Sequence, residues 1–251
     1  PRLSIKLSEK KAVYLNYKEW NWDKLALPGT THATKSENMG RNQTLLTVKR
    51  LFFAYDTSTD YIIKDLNIEL ERGQKLCLLG GNGGGKTTLL KLLAGMLKPI
   101  HGVIKSKKAR ICYLPQNVYS YFRHETVLDE ILTDVPADYE SSPLFQQLVL
   151  QSLLKRHPLD LSGGEAMKLA LFCILAKKPD IILLDEPTRG LDPYAKGHLI
   201  RWLKQIDETV VCATHDLPFA ARFAETSMML FDSTVAAYGP TRVLLSDNRY
   251  Y

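Results

Sequence analysis

The sequence predicts an α/β fold organised on a parallel sheet, and three stretches carry that expectation. Leu76-Cys77-Leu78-Leu79 is a short apolar run, followed by the glycine-rich Gly80 to Thr88 and then by Leu89, Leu90, Leu92 and Leu93 at helical spacing, which reads as strand, loop, helix. Ile181-Ile182-Leu183-Leu184 is apolar without alternation, as a strand covered on both faces requires, and ends at Asp185-Glu186. Thr209 to Thr214 repeats the pattern and ends at His215-Asp216. All three runs finish on groups capable of chemistry, and the carboxyl edge of a parallel sheet is where such folds bind ligands.

The first stretch fits G-x-x-x-x-G-K-[ST] through Gly80, Gly85, Lys86 and Thr87, with Asn82, Gly83, Gly84 and Thr88 completing the loop. Residues without side chains let backbone amides close on phosphate oxygens, and the positive end of the following helix adds attraction. Lys86 then reaches the β- and γ-phosphates and Thr87 holds Mg²⁺, so the loop implies a nucleoside triphosphate. An aromatic about thirty residues ahead of the lysine, Tyr55, can stack on a base, although spacing alone favours a core or strand-end tyrosine.

Composition narrows the classes. With 251 residues and 45% hydrophobic content the chain can bury a substantial core, and no stretch approaches the roughly eighteen apolar residues of a membrane span, which suggests a soluble intracellular chain. It starts at Pro1 without Met and reads as a piece of a longer polypeptide. Cys77, Cys112, Cys173 and Cys212 lie in apolar runs without metal-ligand spacing, which suits reduced core thiols. The net charge of +6 is concentrated in residues 1–50, with ten basic and four acidic side chains, leaving 23 of each sign beyond them. No nucleic-acid partner is expected from so neutral a remainder.

In chain order, residues 1–43 differ from the rest. Leu3, Ile5 and Leu7 alternate, Val13-Tyr14-Leu15 suits a partner strand, and 28–42 is polar and aperiodic, so the segment is either a connector carrying a hairpin or a loose tail. From residue 44 to 251 the signals are regular. Leu46 to Phe53 and Leu66 to Leu70 read as strands, Lys98-Pro99 and Gly102 as the stop of the loop helix, and Ala109 to Leu114 as a strand before Gln116. Thr126 opens one helix, and Ser142-Pro143 opens another running through Leu144, Leu148, Leu150, Leu153 and Leu154, which together make an inserted helical lobe at about 117–161.

Leu161-Ser162-Gly163-Gly164-Glu165 follows. Ser162 and Glu165 form an S-x-x-E capping box, with Gly163 and Gly164 baring amides at the helix start, a second anion-binding terminus in one chain. Asp192-Pro193 caps a further helix with Leu199, Trp202, Leu203 and Ile206 on one face.

The glycine loop, the Leu-Ser-Gly-Gly-Glu pentapeptide and the Asp185-Glu186 strand end, in that order, resemble the ATP-binding cassette (ABC) family over roughly residues 45–245. The resemblance implies a P-loop NTPase cassette with a RecA-like core sheet, a small antiparallel β lobe and an inserted helical lobe. It further implies ATP and Mg²⁺ as cofactors, with Asp185 organising the metal, Glu186 polarising the attacking water, His215 contacting the γ-phosphate, and Gln116 sensing metal or water at the lobe junction. Ser162, Gly163, Gly164 and Glu165 would close on the ATP of a partner cassette, and Asp192 would cross between subunits. Pro187 to Asp192, Ala220-Ala221 and the closing Leu244 to Tyr250 are similar to energy-coupling-factor importers, in particular to the second cassette of fused versions. That implies a transport ATPase on the cytoplasmic face of a membrane with a transmembrane partner and a second cassette, as a homo- or heterodimer or in the same polypeptide. A soluble twin-cassette ATPase acting on ribosomes is the alternative, favoured by the Glu-ended signature and short middle lobe. The chain departs from the family pattern at Gly81 and Gly84, at Ala166-Met167-Lys168, and in the thirty-residue spacing from Lys86 to Gln116.

Overall fold

The computed structural model describes residues 43–56, 60–135 and 139–246. Expectations for the segment up to residue 42 lie outside them. The strands are β1 (Thr44–Phe53), β2 (Ile63–Glu71), β3 (Lys75–Leu79), β4 (His101–Ser106), β5 (Ile111–Leu114), β6 (Ile181–Asp185), β7 (Thr209–Ala213), β8 (Thr226–Phe231) and β9 (Thr234–Pro240). They form two sheets, a three-stranded antiparallel one of order β2-β1-β4 and a six-stranded one of order β5-β6-β7-β3-β8-β9. In the larger sheet every neighbouring pair is parallel except β8-β9, giving the α/β architecture expected from the three apolar runs.

The helices are α1 (Lys86–Leu93), α2 (Val127–Asp134), α3 (Pro143–Leu148), α4 (Gly163–Ala176), α5 (Pro193–Gln205), α6 (Leu217–Phe223) and α7 (Thr241–Ser246). Strand periodicity divides the core between the two faces of the large sheet. Leu76, Leu78, Ile181, Leu183 and Val211 point toward α1 and the small sheet, whereas Cys77, Leu79, Ile182, Leu184 and Cys212 point toward α4 and its neighbours. All ten are wholly buried, and each such leucine contributes about 1.5–3 kcal/mol through loss of apolar surface from water. Two-sided burial explains why these runs lack alternation.

Three local expectations change. α1 stops at Leu93, because Gly95 takes a left-handed φ of 73° and Met96 N–H reaches back to Lys91 O, well before Lys98-Pro99. Gly102 does not terminate a helix but sits in β4 with φ 90°, where an added Cβ would lie 2.1 Å from Arg50 O. The expected helix from Ser142 to Leu154 breaks at Val149, whose φ of 56° separates α3 from a 3-10 turn at Gln151–Leu153. The leucine spacing reflected burial of Leu148, Leu150 and Leu153 rather than one continuous helix. Of the cysteines, Cys77, Cys173 and Cys212 are core residues, whereas Cys112 is half-buried.

Lys75, at the start of β3, fastens the edge opposite the glycine loop. Its Nζ donates to Ile206 O at 2.9 Å and to Glu208 O, tying β3 to the chain entering β7. Burial pushes its pKa down to about 8, against the attraction of Glu208, Asp207 and Glu225. Between about 8 and the ordinary 10.5 the unfolded chain holds a proton that the folded chain has lost, so stability rises with pH across that window. Urea denaturation at pH 7.5 and pH 10 should show wild type gaining up to about 3 kcal/mol relative to Lys75→Met. Parallel pH profiles would mean that the buried ammonium stays charged.

Candidate functional site

The loop between β3 and α1 requires glycine where the chain passes other backbone. Gly80 has φ 148°, and a Cβ there would lie 2.4 Å from Leu230 O in β8; Gly85 has φ 84°, and a Cβ there would lie 2.9 Å from Ile62 O. Lys86 Nζ bridges the base of the loop, donating to Gly80 O at 2.8 Å and Gly81 O at 3.0 Å. Burial lowers its pKa, opposed by the nearby Glu186 and Asp185. Gly81, Asn82 and Gly83 are exposed at the rim, and no side chain caps α1 at Gly85. The uncapped first amides of α1 and the lysine therefore lie together at the loop, an arrangement suited to phosphate.

At the end of β6, Asp185 is buried and its two oxygens are held separately. Thr87 Oγ1 donates to Oδ1 at 3.1 Å and Tyr113 OH donates to Oδ2 at 3.2 Å. Burial raises the carboxyl pKa, while these two hydrogen bonds oppose the rise. Thr87 and Asp185 thus present two hard oxygen donors side by side, which fits Mg²⁺, an ion that keeps several waters and leans on substrate phosphates. No group of three or more His, Cys, Asp or Glu side chains among the described residues forms a protein cage, so the phosphates would have to complete the coordination.

The next residue, Glu186, adopts φ 47°, an uncommon conformation for a residue with a side chain, with its own N–H bonded to Ala213 O at 2.8 Å. The turn sends its carboxylate toward the end of β7. Oε2 accepts from Thr214 Oγ1 at 3.2 Å and from His215 N–H at 3.3 Å, and Oε1 lies 2.9 Å from His215 Nδ1. Glu186 is buried while the His215 ring is largely exposed, so the imidazole faces outward over the carboxylate. Such a carboxylate can accept a proton from water, with the ring positioned to orient what lies beside it.

At α4, the anticipated capping box is present: Ser162 Oγ accepts from Glu165 N–H at 3.3 Å and Glu165 Oε2 accepts from Ser162 N–H at 2.8 Å. The Ser162 hydrogen bonds hold the Glu165 carboxyl below its usual pKa range, and Arg156 adds an ion pair at 3.3 Å. Ser162 is exposed, and its cap partners lie on its own helix. Asp192 Oδ1 accepts from Ala195 N–H at 2.9 Å, capping α5, and is also exposed. Gln116, Gly163, Glu186, Gly190 and Leu191 line one cleft of about 500 Å³, which joins the start of α4 to the carboxyl edge of the sheet.

Tyr55 is not a core residue. It is 62% exposed, packs edge-on against Phe53 at 5.0 Å, and its hydroxyl shares a 3.1 Å hydrogen bond with Thr88 Oγ1, placing an accessible ring beside the loop. Three side chains that touch this site were missed in the sequence: Tyr113, Thr214 and Arg156. Tyr113 reaches Asp185 because β5 lies beside β6, an adjacency that no local pattern reveals. Thr214 was legible in principle as the residue ahead of His215.

The ABC transporter family profile matches residues 63–189. The chain belongs to the ABC transporter family, as an ATP-binding ATPase domain. It is 37% identical over 232 residues to a Bacillus thuringiensis subsp. konkukian (strain 97-27) protein described as an ABC transporter ATP-binding protein, a match covering 84% of this chain and 42% of that one. It is 31% identical to the molybdate/tungstate import ATP-binding protein WtpC of Thermococcus kodakarensis (strain ATCC BAA-918 / JCM 12380 / KOD1), covering 74% and 63% respectively. The chain thus spans less than two thirds of the length of either relative. Among solved structures, cbiO1 from Clostridium perfringens, part of the ABC transporter complex cbiONQ, superposes with a TM-score of 0.72 at 23% identity over 82% of this chain and 92% of that one, a likeness of fold. The ABC cassette accordingly binds ATP, and no described helix is long and apolar enough to cross a membrane.

Proposed function

We propose that this ABC cassette hydrolyses ATP to drive transport across a membrane, as the ATP-binding subunit of an energy-coupling-factor type importer. The observation that carries the reading is the Glu186 carboxylate, fixed by Thr214 and His215 at the same sheet edge where Lys86, Thr87 and Asp185 gather. In this reading Tyr55 stacks on adenine, and Gly80 to Thr88 enclose the phosphates with Lys86 on the β- and γ-groups. Bound Mg²⁺ on Thr87 and Asp185 would neutralise developing phosphate charge. Glu186 takes the proton of the attacking water, His215 holds that water against the γ-phosphate, and Gln116 links the site to the helical lobe, about 117–161.

Exposed Ser162 and Asp192 support a head-to-tail pair in which Ser162 to Glu165 of one cassette meet the ATP of another. In this reading residues 44–251 are the cassette, residues 1–43 an N-terminal extension or inter-cassette linker, and the partner is a second cassette, as a homo- or heterodimer or in the same polypeptide. The greater length of the relatives favours a fused arrangement, and the likeness to the molybdate/tungstate import ATP-binding protein WtpC favours uptake. The working location is the cytoplasmic face of a membrane, bound to a transmembrane component. Affinity purification of the full-length protein from detergent-solubilised membranes should recover Mg²⁺-dependent ATPase together with integral membrane protein. Recovery with ribosomes instead would overturn the transport assignment.

A further inference from the structure

We infer that Tyr113 is a positioning residue for the metal-organising acid, setting how tightly a divalent cation is held beside the nucleotide. The inference rests on the reading of Thr87 and Asp185 as the cation's protein donors. Asp185 sits at the end of β6 with its carboxylate held on two sides, by Thr87 from α1 and by Tyr113 from β5. A threonine hydroxyl that turns a lone pair to a cation can still donate its proton to the carboxylate, but that single bond reaches Oδ1 alone and leaves the carboxylate plane free to turn about it. The Tyr113 hydroxyl supplies the second anchor, because it donates to Oδ2, the oxygen that Thr87 does not use. The two bonds together fix the carboxylate plane with Oδ1 toward Thr87.

The placement is rigid. Tyr113 lies in a strand whose register with β6 pairs it with Leu183 and pairs Leu114 with Leu184, so its Cα cannot slide relative to Asp185 without disrupting the sheet. Its ring is half-buried and packs against the core cluster that includes Leu78, Leu89 and Leu183. A parallel contact lies on the other side of the threonine pair, where Tyr55 bonds Thr88. Tyr55, however, is an exposed rim residue suited to the base, whereas Tyr113 addresses the acid. Hydrogen bonds to metal-binding groups from their outer partners orient the ligand, and their removal commonly weakens metal binding by 10–100-fold.

Tyr113→Phe removes the hydroxyl and retains the ring. For the full-length protein loaded with ADP, Mn²⁺ binding followed by electron paramagnetic resonance should weaken by roughly tenfold. ADP affinity measured in EDTA and the thermal midpoint should stay at wild-type values, and the Mg²⁺ concentration for half-maximal ATPase should rise while saturating Mg²⁺ restores kcat. Unchanged Mn²⁺ affinity, or an equal loss of ADP affinity in EDTA, would overturn the inference. Asp185→Asn separates the two levels: if it lowers Mn²⁺ affinity and Tyr113→Phe does not, only the positioning role fails, whereas if Asp185→Asn leaves Mn²⁺ binding intact the metal assignment itself is wrong.

Discussion

Glu186→Gln should bind ATP as well as wild type and hydrolyse it about two to four orders of magnitude more slowly. The amide has nearly the shape of the carboxylate, so the substitution asks little of the fold. Its oxygen can take the position of Oε2 and continue to accept from Thr214 Oγ1 and His215 N–H, leaving the amide nitrogen toward His215 Nδ1. What disappears is the ability to accept a proton from water, and with it general-base assistance. Lys86, Thr87 and Asp185 are untouched, so nucleotide affinity should not change. Because the exposed signature of one cassette is proposed to close on the ATP of another, slow turnover should also let closed pairs accumulate. Size-exclusion chromatography with and without ATP, alongside a single-turnover phosphate assay, tests both parts. Turnover within tenfold of wild type would remove Glu186 from the role of base, and a fast-turning variant that still paired would place the closure signal elsewhere.

How much of this was readable beforehand depended on whether a residue acts within its own segment. The three apolar runs ending at Gly80, Asp185 and His215 specified a parallel sheet because two-sided burial writes itself into consecutive residues, and the fold has that sheet. The Ser162 to Glu165 capping box was equally legible, since both of its hydrogen bonds close within four residues. Contacts between distant segments were not. Nothing in Tyr113 announces that β5 will lie beside β6, and nothing in Tyr55 distinguishes a rim residue from a buried one until β1 is seen to end next to α1. Spacing misled where burial and helicity share a period. Leu148, Leu150 and Leu153 are all buried, yet Val149 between them turns left-handed and ends the helix. β4 was overlooked because its exposed residues, His101, Val103 and Lys105, give no apolar alternation, and its pairing with β1 supplies the order that its sequence lacks.

Lys86→Ala should lower ATP affinity on the order of a hundredfold while leaving the fold standing. The ammonium lies where it can meet phosphate oxygens, and hydrogen bonds between charged groups contribute about 1.5–3 kcal/mol each, or one to two orders of magnitude in affinity. Its two bonds to Gly80 O and Gly81 O are also lost, but Gly81 is exposed and Gly80 half-buried, so water can replace the donor on those carbonyls. The loop's shape depends more on Gly80 and Gly85, whose backbone crosses Leu230 O and Ile62 O too closely for a side chain, than on the lysine. Adenosine discriminates between the two possible causes of weakened binding. It presents a base for the exposed Tyr55 ring and no phosphate for the loop, so its affinity should be unchanged in Lys86→Ala by isothermal titration. A parallel loss for adenosine and ATP would instead mean that the substitution collapses the site. Lys86→Arg should not restore ATP binding, because a planar guanidinium cannot occupy the narrow space between two carbonyls that a compact ammonium fills. Full ATP affinity in Lys86→Ala would refute the assignment of this loop to phosphate.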